Sequence, residues 1–270
     1  MNVVVIILSV IAGAAVLGIT VYLISRKRMR LRMKALLLAG TVTAEAVAAC
    51  AVYVNIYYKA DETALKYLKG EEGLVSVSDT PEGYLFDGPG TSQALIFYPG
   101  GKVESEAYSP LLCRIAERGV DCILVDMPLR LAFLDMNAAD RVIERHEYSS
   151  YAIAGHSLGG VAAANYASSN EDKLDALILL AAYSEDPISQ NLDCLSVYGS
   201  SDQVLNMSKL HTCTVNLPDD TVTLNIKGGN HCQFGSYGFQ SGDGEAAVSE
   251  NEQWDRTAEA VVSLLEKRSA

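Results

Sequence analysis

Apolar, charge-free positions fill the chain from Val3 to Ile24, a run long enough to cross a hydrocarbon core of roughly 30 Å as a helix. A second apolar run extends from Ala35 to Tyr58, interrupted mainly by Glu45 and Asn55. Between them crowd Arg26, Lys27, Arg28, Arg30, Arg32 and Lys34. A short loop this rich in cations is retained on the cytoplasmic side. Residues 1–58 therefore predict a two-helix transmembrane hairpin, with spans 3–24 and 35–58, a cytoplasmic loop 26–34 and both ends facing outward. Tyr53, Tyr57 and Tyr58 then fall toward the outer interface, where amphipathic rings are favoured. A cleavable signal peptide needs a basic segment ahead of its apolar run, and only Met1 and Asn2 precede this one.

Glu45 works against the second span, since an ionised acid at mid-bilayer costs about 2.5–3.5 kcal/mol on an insertion scale. An interfacial or domain-packing helix is the rival reading of 35–58. Protonation of Glu45, or a hydrogen bond from a first-helix hydroxyl such as Thr20, reduces that cost. Gly13, Ala14 and Gly18 in one helix and Ala44, Ala48 and Ala49 in the other permit close backbone approach.

Beyond residue 58 the pattern changes. Asp61 to Gly73 reads as a short charged helix and linker. Leu74–Ser78 and Gly83–Asp87 alternate around Thr80-Pro81-Glu82-Gly83, which predicts an antiparallel hairpin; residues 59–92 are thus a linker with a β-hairpin. Residues 93–270 then alternate apolar strands with helical spacings. Strands are expected at 94–98, 121–125, 151–154, 176–180, 194–198 and 221–226. Helices are expected at 105–119, 137–147, 158–168 and 253–267. Such alternation indicates a mostly parallel sheet covered on both faces by helices. Only a short polar link joins Tyr183 to Asn191, so no large lid is expected and the site should be open.

The formal net charge of the 270 residues is −12. Six of the basic side chains and one acid, Glu45, lie in residues 1–58, so residues 59–270 carry all of the excess negative charge. That excludes nucleic acid as a main partner. Of the six cysteines, Cys50 lies in the second apolar run, while Cys113, Cys122, Cys194, Cys213 and Cys232 lie beyond it. Their odd number there leaves at least one unpaired within the chain, and Cys113 and Cys122 read as buried core thiols. No CxxC spacing occurs, so a zinc or redox site has no support. Nothing calls for a metal or an organic cofactor.

Tyr151-Ala152-Ile153-Ala154-Gly155-His156-Ser157-Leu158-Gly159-Gly160 is a strand running into G-x-S-x-G and then a small-residue helix. Ser157 there occupies a strained strand-to-helix turn that lifts its hydroxyl above the sheet edge. The helix behind it directs N–H groups and its positive dipole end at the site. A serine nucleophile needs a base. His231 follows the last strand through Lys227-Gly228-Gly229-Asn230 and emerges at the same sheet edge as Ser157. His156 sits inside the elbow and points away from the nucleophile, while His146 and His211 precede strands and lie at the wrong edge.

Asp202 follows the 194–198 strand at its carboxyl end and can orient the imidazole. Asp126 is the second candidate, at the end of a strand on the other side of the nucleophile strand; Asp193, Asp219 and Asp220 precede strands. The oxyanion hole needs two backbone donors, expected from Leu158 and from Gly100, Gly101 or Lys102 in the turn after residue 98, with Gly101 the central choice. Lys102 also stands where it can attract an acidic substrate group. The long loop 232–245 carries Phe234, Tyr237 and Phe239 between glycines. It reads either as a cover over the site, with Phe234, Tyr237 and His156 touching substrate, or as a surface loop with incidental aromatics.

From Ala94 to Leu265 the chain resembles the small lidless serine hydrolases of the α/β-hydrolase fold-5 family, related to dienelactone hydrolases. The pieces that carry the resemblance are Phe97-Tyr98-Pro99-Gly100-Gly101, Asp126-Met127-Pro128, Gly155–Gly160, Tyr198-Gly199-Ser200-Ser201-Asp202 and Gly228-Gly229-Asn230-His231. The resemblance implies an α/β-hydrolase fold and a Ser157–Asp202–His231 triad. Dienelactone hydrolases proper use a cysteine nucleophile, from which Ser157 departs. The expected activity is that of a membrane-anchored carboxylic-ester hydrolase working through an acyl-enzyme, outside the cytoplasm, on a small acyl ester or lipid-like substrate. A peptidase or acyltransferase with the same triad is the alternative, and a non-catalytic membrane protein that keeps the fold is a third.

Overall fold

The computed structural model describes residues 3–26, 29–70, 75–89 and 92–269. Lys27 and Arg28 of the basic loop, and residues 71–74 of the linker and expected first strand, lie outside that range. Two compact units divide at Tyr57/Tyr58.

The first unit is a pair of helices, α1 (Val3–Arg26) and α2 (Leu31–Asn55). Both are long and apolar enough to cross a membrane. They pack antiparallel: Thr20 Oγ1 lies 3.4 Å from Thr41 Oγ1, and the Glu45 carboxyl group lies 4.0 Å from where a Cβ on Gly13 would stand. Thr20 therefore pairs with Thr41 rather than with Glu45. Gly13 makes room for the acid, and Val10, Ile11, Val16, Ile19, Leu36 and Val47 are left exposed.

In the second unit, Asp61 caps the short helix α3 (Glu62–Leu68), its carboxylate accepting the Ala64 N–H at 3.0 Å. The hairpin consists of β1 (Ser76–Thr80) and β2 (Gly83–Asp87). Its register pairs Thr80 with Gly83, so Asp79 and Thr80 belong to the ladder and the turn is only Pro81-Glu82. Six parallel strands follow: β3 (Gln93–Tyr98), β4 (Asp121–Val125), β5 (Ser150–His156), β6 (Ala176–Leu180), β7 (Asp193–Gly199) and β8 (Val222–Ile226). The order across the sheet is β1-β2-β4-β3-β5-β6-β7-β8, with β2 antiparallel to β4. This is the α/β-hydrolase fold.

Alternation along each strand divides the core in two. Leu95 and Phe97 of β3 face one side, with Tyr108, Leu112 and Trp254. Ala94, Ile96 and Tyr98 face the other, with Val142, Ala163 and Tyr166. The first side is covered by α4 (Ser109–Ala116) and α8 (Glu250–Ser269), the second by α5 (Ala138–Arg145) and α6 (Leu158–Ser169). The helix expected from residue 105 opens as a 3-10 turn, Ser105–Tyr108. Pro110 lacks an N–H and is tolerated only in a first helical turn, which sets the α-helical start at Ser109. One helix was not foreseen, α7 (Met207–Thr212), which Asn206 caps by accepting the Lys209 N–H at 3.0 Å. Residues 181–192, between β6 and β7, contain no helix, so no lid is inserted there.

Candidate active site

Parallel strands deliver their carboxyl ends to one edge of the sheet, and this edge is where the backbone is strained. Among the described residues, the non-glycine ones with positive φ are Lys102 after β3, Leu129 and Arg130 after β4, Ser157 after β5 and Ala181 after β6. Ser157 holds φ +52° and ψ −121°, a conformation that costs on the order of 1–3 kcal/mol and persists only where its surroundings enforce it. They do so through close approach. A Cβ on Gly155 would stand 2.4 Å from the Gly159 carbonyl oxygen, and one on Gly159 would stand 2.3 Å from the Pro99 carbonyl oxygen. The Ser157 N–H donates to the Leu180 carbonyl at 2.9 Å, and its carbonyl accepts the Val161 N–H at 3.1 Å. The turn is thereby tied to β6 on one side and to its own helix on the other.

His231 Nδ1 lies 2.8 Å from Asp202 Oδ2, with side-chain exposures of 2% and 0%. The other carboxylate oxygen, Asp202 Oδ1, accepts the N–H groups of Val204 and Leu205, each at 2.8 Å. With both oxygens engaged, the carboxylate is held in one orientation and accepts the hydrogen bond donated by His231 Nδ1–H. Nε2 is left as the basic nitrogen, and it has no hydrogen-bond partner among the described residues. No hydrogen bond links it to Ser157 in this structure, a contact that in unliganded sites commonly tightens only when substrate binds.

Asp126 follows β4, beyond β3 from the strand that carries Ser157, and accepts a hydrogen bond from Ser105 Oγ at 3.3 Å. Burial, with Glu106 beside it, raises its carboxyl above the usual range. Nothing joins it to His231.

The oxyanion candidates separate by their partners. The Gly100 N–H donates to Tyr108 Oη at 2.9 Å, and the Lys102 N–H donates to the Arg130 carbonyl at 2.8 Å. Both are spent on structure. The Gly101 N–H has no partner among the described residues, and Leu158 opens α6, so its N–H has no intrahelical acceptor. The two residues adjoin: a Cβ on Gly101 would stand 2.8 Å from Leu158 Cδ2.

His156 is buried, its Nδ1 lying 2.8 Å from Tyr108 Oη. Tyr108 Oη already accepts the Gly100 N–H, and its own proton is available to His156 Nδ1. Burial pushes this imidazole well below its usual range, with the nearby His231 acting in the same sense, so it is neutral. Its ring centroid lies 4.6 Å from that of His231 and 5.4 Å from that of Phe234.

Phe234 and Tyr237 do not cover the site. Both are buried, the first against His156 and the second against Tyr58 at 5.5 Å. The loop is drawn inward because the Ser236 N–H donates to the Ala107 carbonyl at 2.7 Å and Ser236 Oγ to Asp61 at 2.8 Å. His156, Phe234 and Tyr237 are thus buried in packing contacts rather than displayed on the surface of the loop. Phe239 alone among the loop aromatics is exposed. Lys102 is half-buried, and partial burial lowers its ammonium from the ordinary range.

Sequence reasoning missed Asp243. Its carboxylate accepts the Gln203 N–H at 3.2 Å and the Cys232 N–H at 2.8 Å. One buried side chain thus ties the turn after Asp202 to the turn after His231. Tyr108 was missed as well; a lone tyrosine on a helical spacing carries no signal of its hydroxyl's partners.

Residues 94–255 match the sequence profile of the alpha/beta hydrolase family, and the chain belongs to that family. A search of curated proteins returned no match. Among solved structures the chain is similar to Est1E from Butyrivibrio proteoclasticus with ferulic acid bound, at 14% identity and a TM-score of 0.52, covering 68% of this chain and 94% of that one. It is similar also to TT1662 from Thermus thermophilus, at 14% identity and 0.52, with coverage of 72% and 98%. A third is the esterase domain of a Rhodothermus marinus protein, at 14% and 0.51, with coverage of 70% and 96%. At such identities the likeness is one of fold.

Proposed function

We propose that this chain is a membrane-anchored serine hydrolase of carboxylic esters, with its catalytic unit on the extracytoplasmic side. The observation that carries the reading is the buried 2.8 Å contact between His231 Nδ1 and Asp202 Oδ2, at the same sheet edge as the strained Ser157. In the reaction Ser157 Oγ attacks the acyl carbonyl while His231 Nε2 takes its proton. The Leu158 and Gly101 N–H groups hold the developing oxyanion. His231 then returns the proton to the leaving alcohol. Water, activated by the same imidazole, adds to the acyl-enzyme and releases the acid. An ester is the favoured substrate because its alkoxide leaves more easily than an amine, and solved structures of the same fold include an esterase domain.

The membrane assignment rests on α1 and α2, whose large side chains stand exposed and would form an apolar surface far beyond what a soluble protein carries. The orientation rests on the cationic segment between them. A fluorophosphonate probe tests the chemistry. Detergent-solubilised full-length protein should be labelled at Ser157, and Ser157→Ala should abolish labelling; a folded protein that resists the probe refutes the reading.

A further inference from the structure

Beside the elbow lies a cavity of about 130 Å³ that the triad does not use. One wall is the stripe Leu158, Val161, Ala162 and Asn165 of α6, residues spaced i, i+3, i+4 and i+7 and so on one helix face. The opposite wall is Phe133 and Met136, from the segment between β4 and α5. Phe133 is 51% exposed, although a side chain of that size is ordinarily buried.

The cavity adjoins the elbow through Leu158, the residue that follows Ser157. It ends in polar side chains. Asn165 Nδ2 donates to Asp186 Oδ2 at 3.2 Å, and Glu185, which is paired with Lys209, completes the far rim.

We infer that this cavity is the acyl pocket of the hydrolase proposed above and that it selects short, uncharged acyl groups, from acetyl to about butyryl. The inference rests on that functional reading and adds its substrate class. Volume decides the length. Pockets for drug-sized ligands span roughly 300–1,000 Å³, and this one, at about 130 Å³, falls well below that range. A longer chain must leave the apolar walls and meet the Asp186 and Glu185 carboxylates. An acyl group ending in a carboxylate meets them as a like charge.

The test is a series of p-nitrophenyl esters from acetate to dodecanoate, assayed on full-length protein in detergent. The butyrate-to-acetate ratio of kcat/KM is read for wild type, Val161→Phe and Phe133→Ala. Labelling by a small fluorophosphonate scores in each whether the site is folded and the serine reactive. Wild type should peak at acetate to butyrate, with octanoate at least about tenfold lower, the scale on which one methylene is read by an apolar pocket. Val161→Phe should lower the butyrate-to-acetate ratio about tenfold. Phe133→Ala should move the optimum toward longer chains, so either variant suffices if the other does not fold. A wild-type optimum at octanoate or beyond, or a profile that neither substitution moves in labelled protein, overturns the pocket while leaving the hydrolase in place. Absence of labelling in wild type overturns both.

Discussion

Tyr108 Oη and His156 Nδ1 share a buried 2.8 Å hydrogen bond, one residue before the proposed nucleophile Ser157. The same oxygen accepts the Gly100 N–H, so one phenol links the residue before Ser157 to the residue before the Gly101 oxyanion donor. Burial raises the phenol above its usual range and keeps the proton in place. Tyr108→Phe strands an N–H and a ring nitrogen, each costing on the order of 1–3 kcal/mol of stability. Because Gly101 remains but loses its anchor, kcat should fall about tenfold, less than the 10²–10³ that follows removal of an oxyanion donor, with KM little changed. Steady-state kinetics and a urea melt read the two effects separately.

Asp243 serves the other half of the site. It binds the turns after Asp202 and His231 together through Gln203 and Cys232. Asp243→Ala leaves the buried Cys232 N–H unpaired, removes the acceptor of the Gln203 N–H and frees the two turns to move independently. The expected result is a fall in kcat of about tenfold to a hundredfold, within the range that small misplacements cost. Asp243→Asn, which keeps an acceptor oxygen, should recover part of it. A merely structural role would lower stability in both variants and leave the kcat of the folded fraction unchanged.

These two residues show where sequence reading stops. The elbow is legible because its constraint is local: Gly155 and Gly159 are required by contacts within a few positions of Ser157 and by the Pro99 carbonyl. The parallel strands were legible from their apolar runs, and that placed Asp202 and His231 at one edge. Tyr108 and Asp243 act through partners that topology brings together, 48 residues away for His156 and 40 for Gln203. Phe234 and Tyr237 misled for the same reason. Glycine-spaced aromatics look mobile, but Ser236 fastens the loop to Ala107 and Asp61. The Phe133–Met136 wall lies between β4 and α5, outside any strand or α-helix, so nothing in the pattern marked it.

The cysteines give a pH dependence with a definite sign. Burial raises Cys113 and Cys194 to about 12 and Cys232 to about 11 from 9.0. A raised folded-state value means that, between pH 9 and the folded value, the native chain keeps protons the unfolded chain has released. The stabilisation is complete below pH 9 and is lost as pH rises through 11 and 12. Each thiol contributes a slope of up to about 1.4 kcal/mol per pH unit. Urea midpoints measured from pH 7 to pH 10.5 should fall above pH 9, and replacing Cys194 by Ala should flatten the decline.

In the proposed membrane topology, the cations between the two helices set the orientation of the hairpin. Moving Lys or Arg to the outer side of a span is uphill, so Arg26, Arg30, Arg32 and Lys34 should hold their loop in the cytoplasm and send residue 58 onward outside. In intact cells or spheroplasts, protease should reach a tag after Ala270, whereas a cysteine placed at Arg30 should react with an impermeant maleimide only after lysis. Neutralising Arg26, Lys27, Arg28, Arg30, Arg32 and Lys34 together should mix the two orientations. A C-terminal tag protected in intact wild-type cells, with the loop cysteine labelled from outside, would invert the assignment and move the catalytic unit to the cytoplasm.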